Sequence, residues 1–379
     1  MKSQLRKAKR IVVKIGSSLL VDNERAEIRE DWLDSLACDL SRFRARGQEI
    51  MVVSSGAIAL GRKKSGLLST RNLRLEESQA AAAVGQILLA HAYQHILERH
   101  NLNIAQILLT LEDTEHRRKH LNARNTLNQL LKIGVVPVIN ENDTVATSEI
   151  RFGDNDRLAA RVAAMTSTDC LILLSDIDGL YDSDPRQNPR ASHIAEVSEI
   201  TEDIKAMAGA APAGYSSGGM ITKLDAANIA MDGGCDMVIT DGKCIEPLSV
   251  LMRGGRATWF NATSSPRKAR KRWIAGMVKT NGEITVDKGA AEALSKGKSL
   301  LPAGITRIIG NFARGDAVLV RNSAGHEIAR GLTAYSALET EKIKGQRSDS
   351  IESILGYRGG NEVLHRDNLA VKRPIPKSS

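Results

Sequence analysis

The sequence predicts an α/β fold, a three-layer αβα sandwich around a mostly parallel sheet, followed by a small β-rich domain. Three observations predict it. Short continuous Val/Ile/Leu runs alternate with longer stretches of helical spacing through the first two thirds of the chain, the pattern of strands buried on both faces and joined by helices. Around residues 262–273 the text changes to ATSSPRKARKRW, polar, proline-bearing and densely basic. Beyond it lie short strand-like pieces punctuated by glycine,. The expected boundaries are 1–262 for the α/β domain, 263–279 for a basic linker, 280–365 for the β-rich domain and 366–379 for a C-terminal tail.

In order, the strand candidates are RIVVKIG, EIMVVSS, IAQILLT, VVPVINEND, CLILLSD and MVIT. Segments such as DWLDSLACDLSRFRARG and SQAAAAVGQILLAHAYQHILERH supply the helices between them,. In the second unit GEITVDKGA, AVLVRNSAG and HEIARGLTAY read as strands, and the closing RPIPKSS as a frayed end,. The opening MKSQLRKAKR followed by an apolar run imitates a signal peptide, but Lys14 interrupts that run, which reads instead as a first buried strand,. No run reaches the roughly 18 apolar residues of a membrane span,.

Composition narrows the function classes. The four cysteines, Cys38, Cys170, Cys235 and Cys244, form no C-x-x-C pair, which excludes a zinc ribbon or disulfide framework and fits a reducing cytoplasm,. From residue 266 onward there are 21 Lys and Arg against 11 Asp and Glu, so the excess basicity lies in the last third. Such a face meets nucleic acid or an acidic partner, or is simply solvated.

In a parallel sheet, ligands gather at the carboxyl ends of the strands. Here those ends carry polar, glycine-bearing loops. VVKIGSS brings Lys14 into a glycine-serine turn, either a plain structural turn or a place for an ammonium and backbone N–H groups beside a polyphosphate,. SSGAIALG follows a strand and opens a helix, where Ser54 or Ser55 serves as an N-cap or the small residues admit an anion,. In VVPVINENDTVATSEIRFGDNDRLAARVA the strand ends at Asn140. Glu141, Asn142 and Asp143 follow, and Gly153-Asp154-Asn155-Asp156 opens a new helix. Asp154 or Asn155 can cap that helix, but two Asn/Asp clusters flanking a hairpin exceed what capping requires. They suit the ammonium of an amino acid and the ordering of nearby lysines.

LLSDIDGLYDSDP ends a strand at Ser175 and Asp176. Leu180 occupies the fifth position, where a calcium loop needs Asp or Asn,. Ser217-Gly218-Gly219-Met220-Ile221-Thr222-Lys223 feeds a helix and makes a phosphate cradle without being a Walker A loop,. The terminal His365-Arg366-Asp367-Asn368 imitates a protein-kinase catalytic loop, but no G-x-G-x-x-G or D-F-G accompanies it,.

Taken together and in this order, VVKIGSS, VVSSGAIALG, LNARNTL, VPVINENDTVA, FGDNDRLAA, LLSDIDGLYDSDP and GGMITKLDAA resemble the amino acid kinase family, in the pattern of its glutamate 5-kinases, across residues 10 to 260. GEITVDKGA, GNFARGDAV and ILGYRGG resemble the PUA domain that many bacterial members append. Ser54 and Ser175 stand where the family more often has threonine, which keeps the hydroxyl.

The resemblance implies the amino acid kinase fold and ATP-dependent phosphorylation of the γ-carboxylate of L-glutamate, the first step of proline synthesis. It implies that Lys14 and Lys223 bind the ATP phosphates, that Asp156 orients both, and that Ser55, Asp143 and Asn155 hold glutamate. Ser175, Asp176 and the loop from Ser217 to Lys223 would line the nucleotide site, with Mg2+ carried by ATP and no metal site on the protein. It further implies feedback inhibition by proline around Asp143 and Asn155, a homodimer or homotetramer, and a possible partner reductase. Within the fold the rivals are an acetylglutamate or uridylate kinase, against which NENDTVA and the PUA-like segment argue. Outside it, the C-terminal unit could bind RNA, although it offers few aromatics for base stacking, chiefly Tyr335 and Tyr357 beyond Trp273,.

Overall fold

The computed structural model describes residues 2–22, 24–67, 73–146, 155–208, 219–276, 280–357 and 359–372. The chain divides into two units, Met1–Pro266 and Arg267–Ser379.

The apolar runs of the first unit become strands because each can be buried on both sides. They are β1 (Arg10–Ile15), β2 (Glu49–Ser54), β3 (Ile104–Leu109), β4 (Val136–Glu141), β5 (Cys170–Ser175), β6 (Glu196–Val197), β7 (Asp236–Asp241) and β8 (Ala257–Phe260). They form an eight-stranded sheet in the order β6-β8-β7-β5-β1-β2-β4-β3. Its central pairs are parallel, and only β7 and β8 run antiparallel. The principal connecting helices are α1 (Glu30–Ala45), α2 (Ala57–Lys64), α3 (Leu75–Arg99), α4 (Arg117–Lys132), α5 (Asn155–Thr166) and α6 (Met220–Asp232).

Strand alternation sorts the core into two layers. On one face Ile11, Val13 and Ile15 pack with Leu33, Leu36 and Leu40 of α1 and Leu89 and Tyr93 of α3. On the other, Val12 packs with Leu158, Ala159 and Val162 of α5 and Ala227 and Ala230 of α6. Helices therefore cover both faces, the three-layer arrangement expected from the sequence. The same alternation fixes the chemistry: Lys14, two residues after Val12, points to the α5–α6 face.

Helices α2 and α3 cross backbone to backbone. A methyl group on Gly61 would overlap the carbonyl oxygen of Ala81, and one on Gly85 would overlap that of Ala57. Because backbone cannot yield as a side-chain end can, Gly85→Ala is expected to destabilise the chain by about 3 kcal/mol. Calorimetry would then show Tm lower by roughly 6–12 °C; an unchanged Tm would contradict this packing.

The second unit holds a five-stranded sheet. Its strands are β9 (Gly282–Val286), β10 (Ile305–Gly310), β11 (Ala317–Arg321), β12 (Glu327–Leu332) and β13 (Leu369–Val371), ordered β10-β9-β11-β12-β13. Ile284, Val286, Val318, Val320 and Leu369 build its core with Phe312 and Tyr335. Two sequence expectations differ here. The basic segment expected as a linker contains a helix, Pro266–Ala275, which buries Ala269, Arg270 and Ile274 and keeps Arg267, Lys268, Lys271 and Arg272 exposed. Dense charge concealed a short buried stripe, itself holding one arginine. Within the expected tail, Leu369–Val371 pairs with β12 as the sheet's edge strand, three residues being too few to show a period.

Candidate active site

β1 lies between β2 and β5, with Lys14 level with Val53 and Leu173. Gly16 follows the strand, with an ordinary φ of −72° and nothing closer than 3.9 Å to an added Cβ. The fold itself does not require glycine there, so the bare backbone leaves room for a ligand to approach.

Helix α5 begins beside this turn and places Asp156 in its first turn, while α6 begins after Gly219 and places Lys223 in its own. Lys14 Nζ lies 2.5 Å from Asp156 Oδ1, and Lys223 Nζ lies 2.9 Å from Asp156 Oδ2. Asp156 is 0% exposed, Lys14 5% and Lys223 8%. One buried carboxylate thus holds two ammonium groups, one on each oxygen. Burying charge is costly without a partner, and the carboxylate supplies it. Two ammonium groups thus meet at one carboxylate at the carboxyl end of the sheet. That arrangement draws in an anion.

The start of α6 adds to this field. Gly219 offers no side-chain cap, and Lys223 N–H reaches Gly219 O only at 3.4 Å. Met220, Ile221 and Thr222 form the first turn, with Thr222 Oγ1 donating to Gly219 O at 2.9 Å. Backbone N–H groups at a helix start are ready anion donors. Ser217 and Gly218 lie outside the described residues, as do Gly153 and Asp154.

The second cluster is a hydrogen-bond network ordered by Asn155. Its Nδ2 lies 2.6 Å from Ser54 O, 2.8 Å from Asn140 Oδ1 and 2.9 Å from Ser55 Oγ. The Ser54 carbonyl can only accept, so the atom facing it must be the amide nitrogen. Asn140 is oriented in the same way, because its Oδ1 also accepts from the Glu141 backbone N–H at 2.9 Å. The two hydrogens on Asn155 are shared among three acceptors, the Ser54 carbonyl, Asn140 Oδ1 and, at the longest distance, Ser55 Oγ. Ser55 keeps its own proton to donate elsewhere.

Ser54 is occupied by the fold. Its hydroxyl donates to Ser55 O at 3.1 Å and accepts from Tyr93 at 2.9 Å, and burial pushes the Tyr93 hydroxyl pKa above its usual range. Asp143, half-buried, sits in the turn after β4, where Val145 N–H closes on Asn142 O and Thr144 Oγ1 donates to Asn142 Oδ1.

Ser175 ends β5 and is buried, donating to Asp176 at 3.2 Å; exposed Asp176 pairs with Arg186 at 3.0 Å. The adjoining loop after β7 is pinned by one stripe of α1. Trp32 Nε1 donates to Gly242 O, Ser35 Oγ accepts from Glu246 N–H, Asp39 accepts from Leu248 N–H, and Arg42 pairs with Glu246.

The structure therefore brings Lys14, Asp156 and Lys223 into one buried cluster and joins Ser55 to Asn155 in a second, with Asp143 in the turn after β4 and Ser175 at the end of β5, two strands that β1 and β2 separate in the sheet. Sequence reasoning missed Tyr93, Gln86 and the orienting role of Asn140. Of these only Asn140, inside the NEND cluster, carried a signal in the text.

Residues 9–241 match the model of the amino acid kinase family, and residues 282–355 match the PUA domain. A glutamate 5-kinase of Paramagnetospirillum magneticum is 57% identical over 370 residues, spanning 98% of this chain and 100% of that one. A glutamate 5-kinase of a Bradyrhizobium species is 56% identical over 368 residues, 97% of each chain. A third, from Rhizobium etli, is 56% identical over 371 residues, 98% of this chain and 95% of that one.

Proposed function

The chain belongs to the amino acid kinase family, among its glutamate 5-kinases, and on that premise we propose that Lys14, Lys223 and Asp156 drive transfer of the γ-phosphoryl of ATP to the γ-carboxylate of L-glutamate. The product is γ-glutamyl phosphate, which opens proline synthesis. The observation that carries the assignment of residues is the fully buried carboxylate of Asp156 with a lysine on each oxygen.

The chemistry needs little else. A glutamate carboxylate, with an ordinary pKa of about 4.3, is already ionised at neutral pH and needs no general base. Its oxygen attacks the γ-phosphorus while the bond to the β–γ bridging oxygen breaks and ADP leaves. The difficulty is electrostatic, since nucleophile and nucleotide are both anionic. Lys14 and Lys223 offset that repulsion and the charge that develops on the transferring group, and Asp156 keeps them in place beforehand. Ser175, Asp176 and the segment from Ser217 through Gly218, Gly219, Met220, Ile221 and Thr222 to Lys223 hold the nucleotide, with Mg2+ arriving on its phosphates as part of the substrate.

Glutamate lies between the ends of β2 and β4. The Ser55 hydroxyl donates to its α-carboxylate, while Asn155 Oδ1 and Asp143 receive its ammonium. Proline, with the same α-carboxylate and a ring ammonium, competes there as feedback inhibitor. Asn155→Ala is expected to raise KM for glutamate about tenfold or more while KM for ATP moves less than about threefold. Equal changes in both would place Asn155 outside the acceptor pocket.

We place the chain in the cytoplasm as a homodimer or homotetramer. Val84, Ile87 and Leu88 are exposed on α3 and supply apolar surface for that assembly,. Among the described residues no helix is long and apolar enough to cross a membrane. The C-terminal unit tunes assembly or regulation, with RNA as the alternative partner, and a reductase consumes the acyl phosphate. The function is tested with MgATP and a panel of L-glutamate, N-acetylglutamate, L-aspartate and UMP, trapping acyl phosphate with hydroxylamine. Hydroxamate from glutamate, suppressed by proline, is expected; turnover of another panel member alone would overturn the substrate.

A further inference from the structure

We infer that Gln86 is a positioning residue for the acceptor substrate, acting through Asn140 to hold the Asn155 amide in its binding orientation. The inference rests on the reading that Asn155 faces the amino acid.

The network determines its own polarity step by step. Asn140 Oδ1 accepts from the Glu141 backbone N–H and from Asn155 Nδ2, so its other amide atom must be a donor,. That donor finds Gln86 Oε1 at 2.8 Å. Asn140 is 3% exposed, so its N–H groups lose water on folding and need an acceptor from the protein,. Gln86 supplies one. Without it, Asn140 relieves its buried donor by turning, and any turn that moves Oδ1 withdraws the acceptor that occupies one Asn155 hydrogen. That hydrogen is then left to Ser55 Oγ alone, which it already reaches at 2.9 Å, and both the Asn155 amide and the Ser55 hydroxyl leave their binding orientations.

The anchor is stiff. Gln86 follows Gly85, whose backbone is seated against the Ala57 carbonyl with no room for a methyl group, and α2 starts directly after the Ser54-Ser55-Gly56 loop. The relay therefore ties the helix pair to both strand ends that flank the acceptor. Ile87, the next residue along α3, is 73% exposed and belongs to the apolar surface proposed above for assembly.

The experiment measures hydroxamate kinetics in the full chain, varying glutamate and ATP separately, for wild type, Gln86→Met, Gln86→Glu, Asn140→Ala and the Gln86→Met/Asn140→Ala pair. Gln86→Met removes the acceptor at similar volume and is expected to raise KM for glutamate about 3- to 10-fold, with KM for ATP and kcat within about twofold. Gln86→Glu keeps an acceptor oxygen and is expected to restore most of that loss. In the Asn140→Ala background Gln86→Met should add nothing, because its effect passes through Asn140. An unchanged KM for glutamate in Gln86→Met, equal changes for both substrates, or additive effects in the pair would overturn the relay. A wild-type chain that ignores glutamate but phosphorylates another acceptor overturns the substrate reading alone, and the same variants are then judged against that acceptor.

Discussion

Asp156→Ala is expected to lower kcat by about 10²-fold or more and to destabilise the chain by about 3–5 kcal/mol. The two effects share one cause. The variant leaves Lys14 and Lys223, both less than a tenth exposed, without the carboxylate that lies 2.5 and 2.9 Å from their ammonium groups. Two like charges then face each other in a site that excludes most water, and the lysines swing apart or drag water in. Asp156→Asn separates the causes, since it keeps the shape and removes the charge. Its turnover should fall nearly as far as that of Asp156→Ala. A thermal melt and steady-state kinetics on both variants test this. A stable, active Asp156→Asn enzyme would show that the lysines need only a hydrogen-bonding neighbour, and that the carboxylate is a helix-capping feature of α5.

Lys223→Ala is expected to lower kcat by about 10²-fold or more with a small change in KM for glutamate, and Lys14→Ala to do the same. In the proposed mechanism each lysine acts on charge that grows as the phosphoryl group moves, so its loss is expected at the barrier more than in binding of the amino acid. The two differ in setting. Lys14 is fixed at the end of a central strand between β2 and β5, whereas Lys223 rides on the first turn of α6. Arginine should rescue neither, because its planar fork is longer and cannot occupy the space of a compact ammonium beside Asp156. Single variants with near-normal kcat would remove that lysine from the reaction.

Much of this is legible in the sequence, and the reasons are physical. Strands such as RIVVKI and CLILLS are buried on both faces, so their apolar runs are unbroken and their ends are marked by polar loops. The rule that ligands gather at those ends points directly to Lys14, Ser55, Asp143 and Ser175. What is not legible depends on contacts between distant segments. Tyr93 and Gln86 lie in the middle of an alanine-rich helix, where nothing local separates a residue facing the site from one facing solvent. Gly61 and Gly85 are weak points of two helices by propensity alone, yet they are where α2 and α3 touch,. The helix Pro266–Ala275 is hidden because four exposed cations outweigh its three buried residues in the composition.

The most direct measurement is hydroxylamine trapping with MgATP and L-glutamate, run side by side on the wild-type chain and Lys223→Ala. The expected result is γ-glutamyl hydroxamate from the wild type, formed about 10²-fold more slowly by the variant at nearly the same KM for glutamate. Absence of hydroxamate from the wild type would contradict glutamate as the acceptor. Equal rates in the two proteins would contradict the lysine–aspartate–lysine cluster as the engine of transfer.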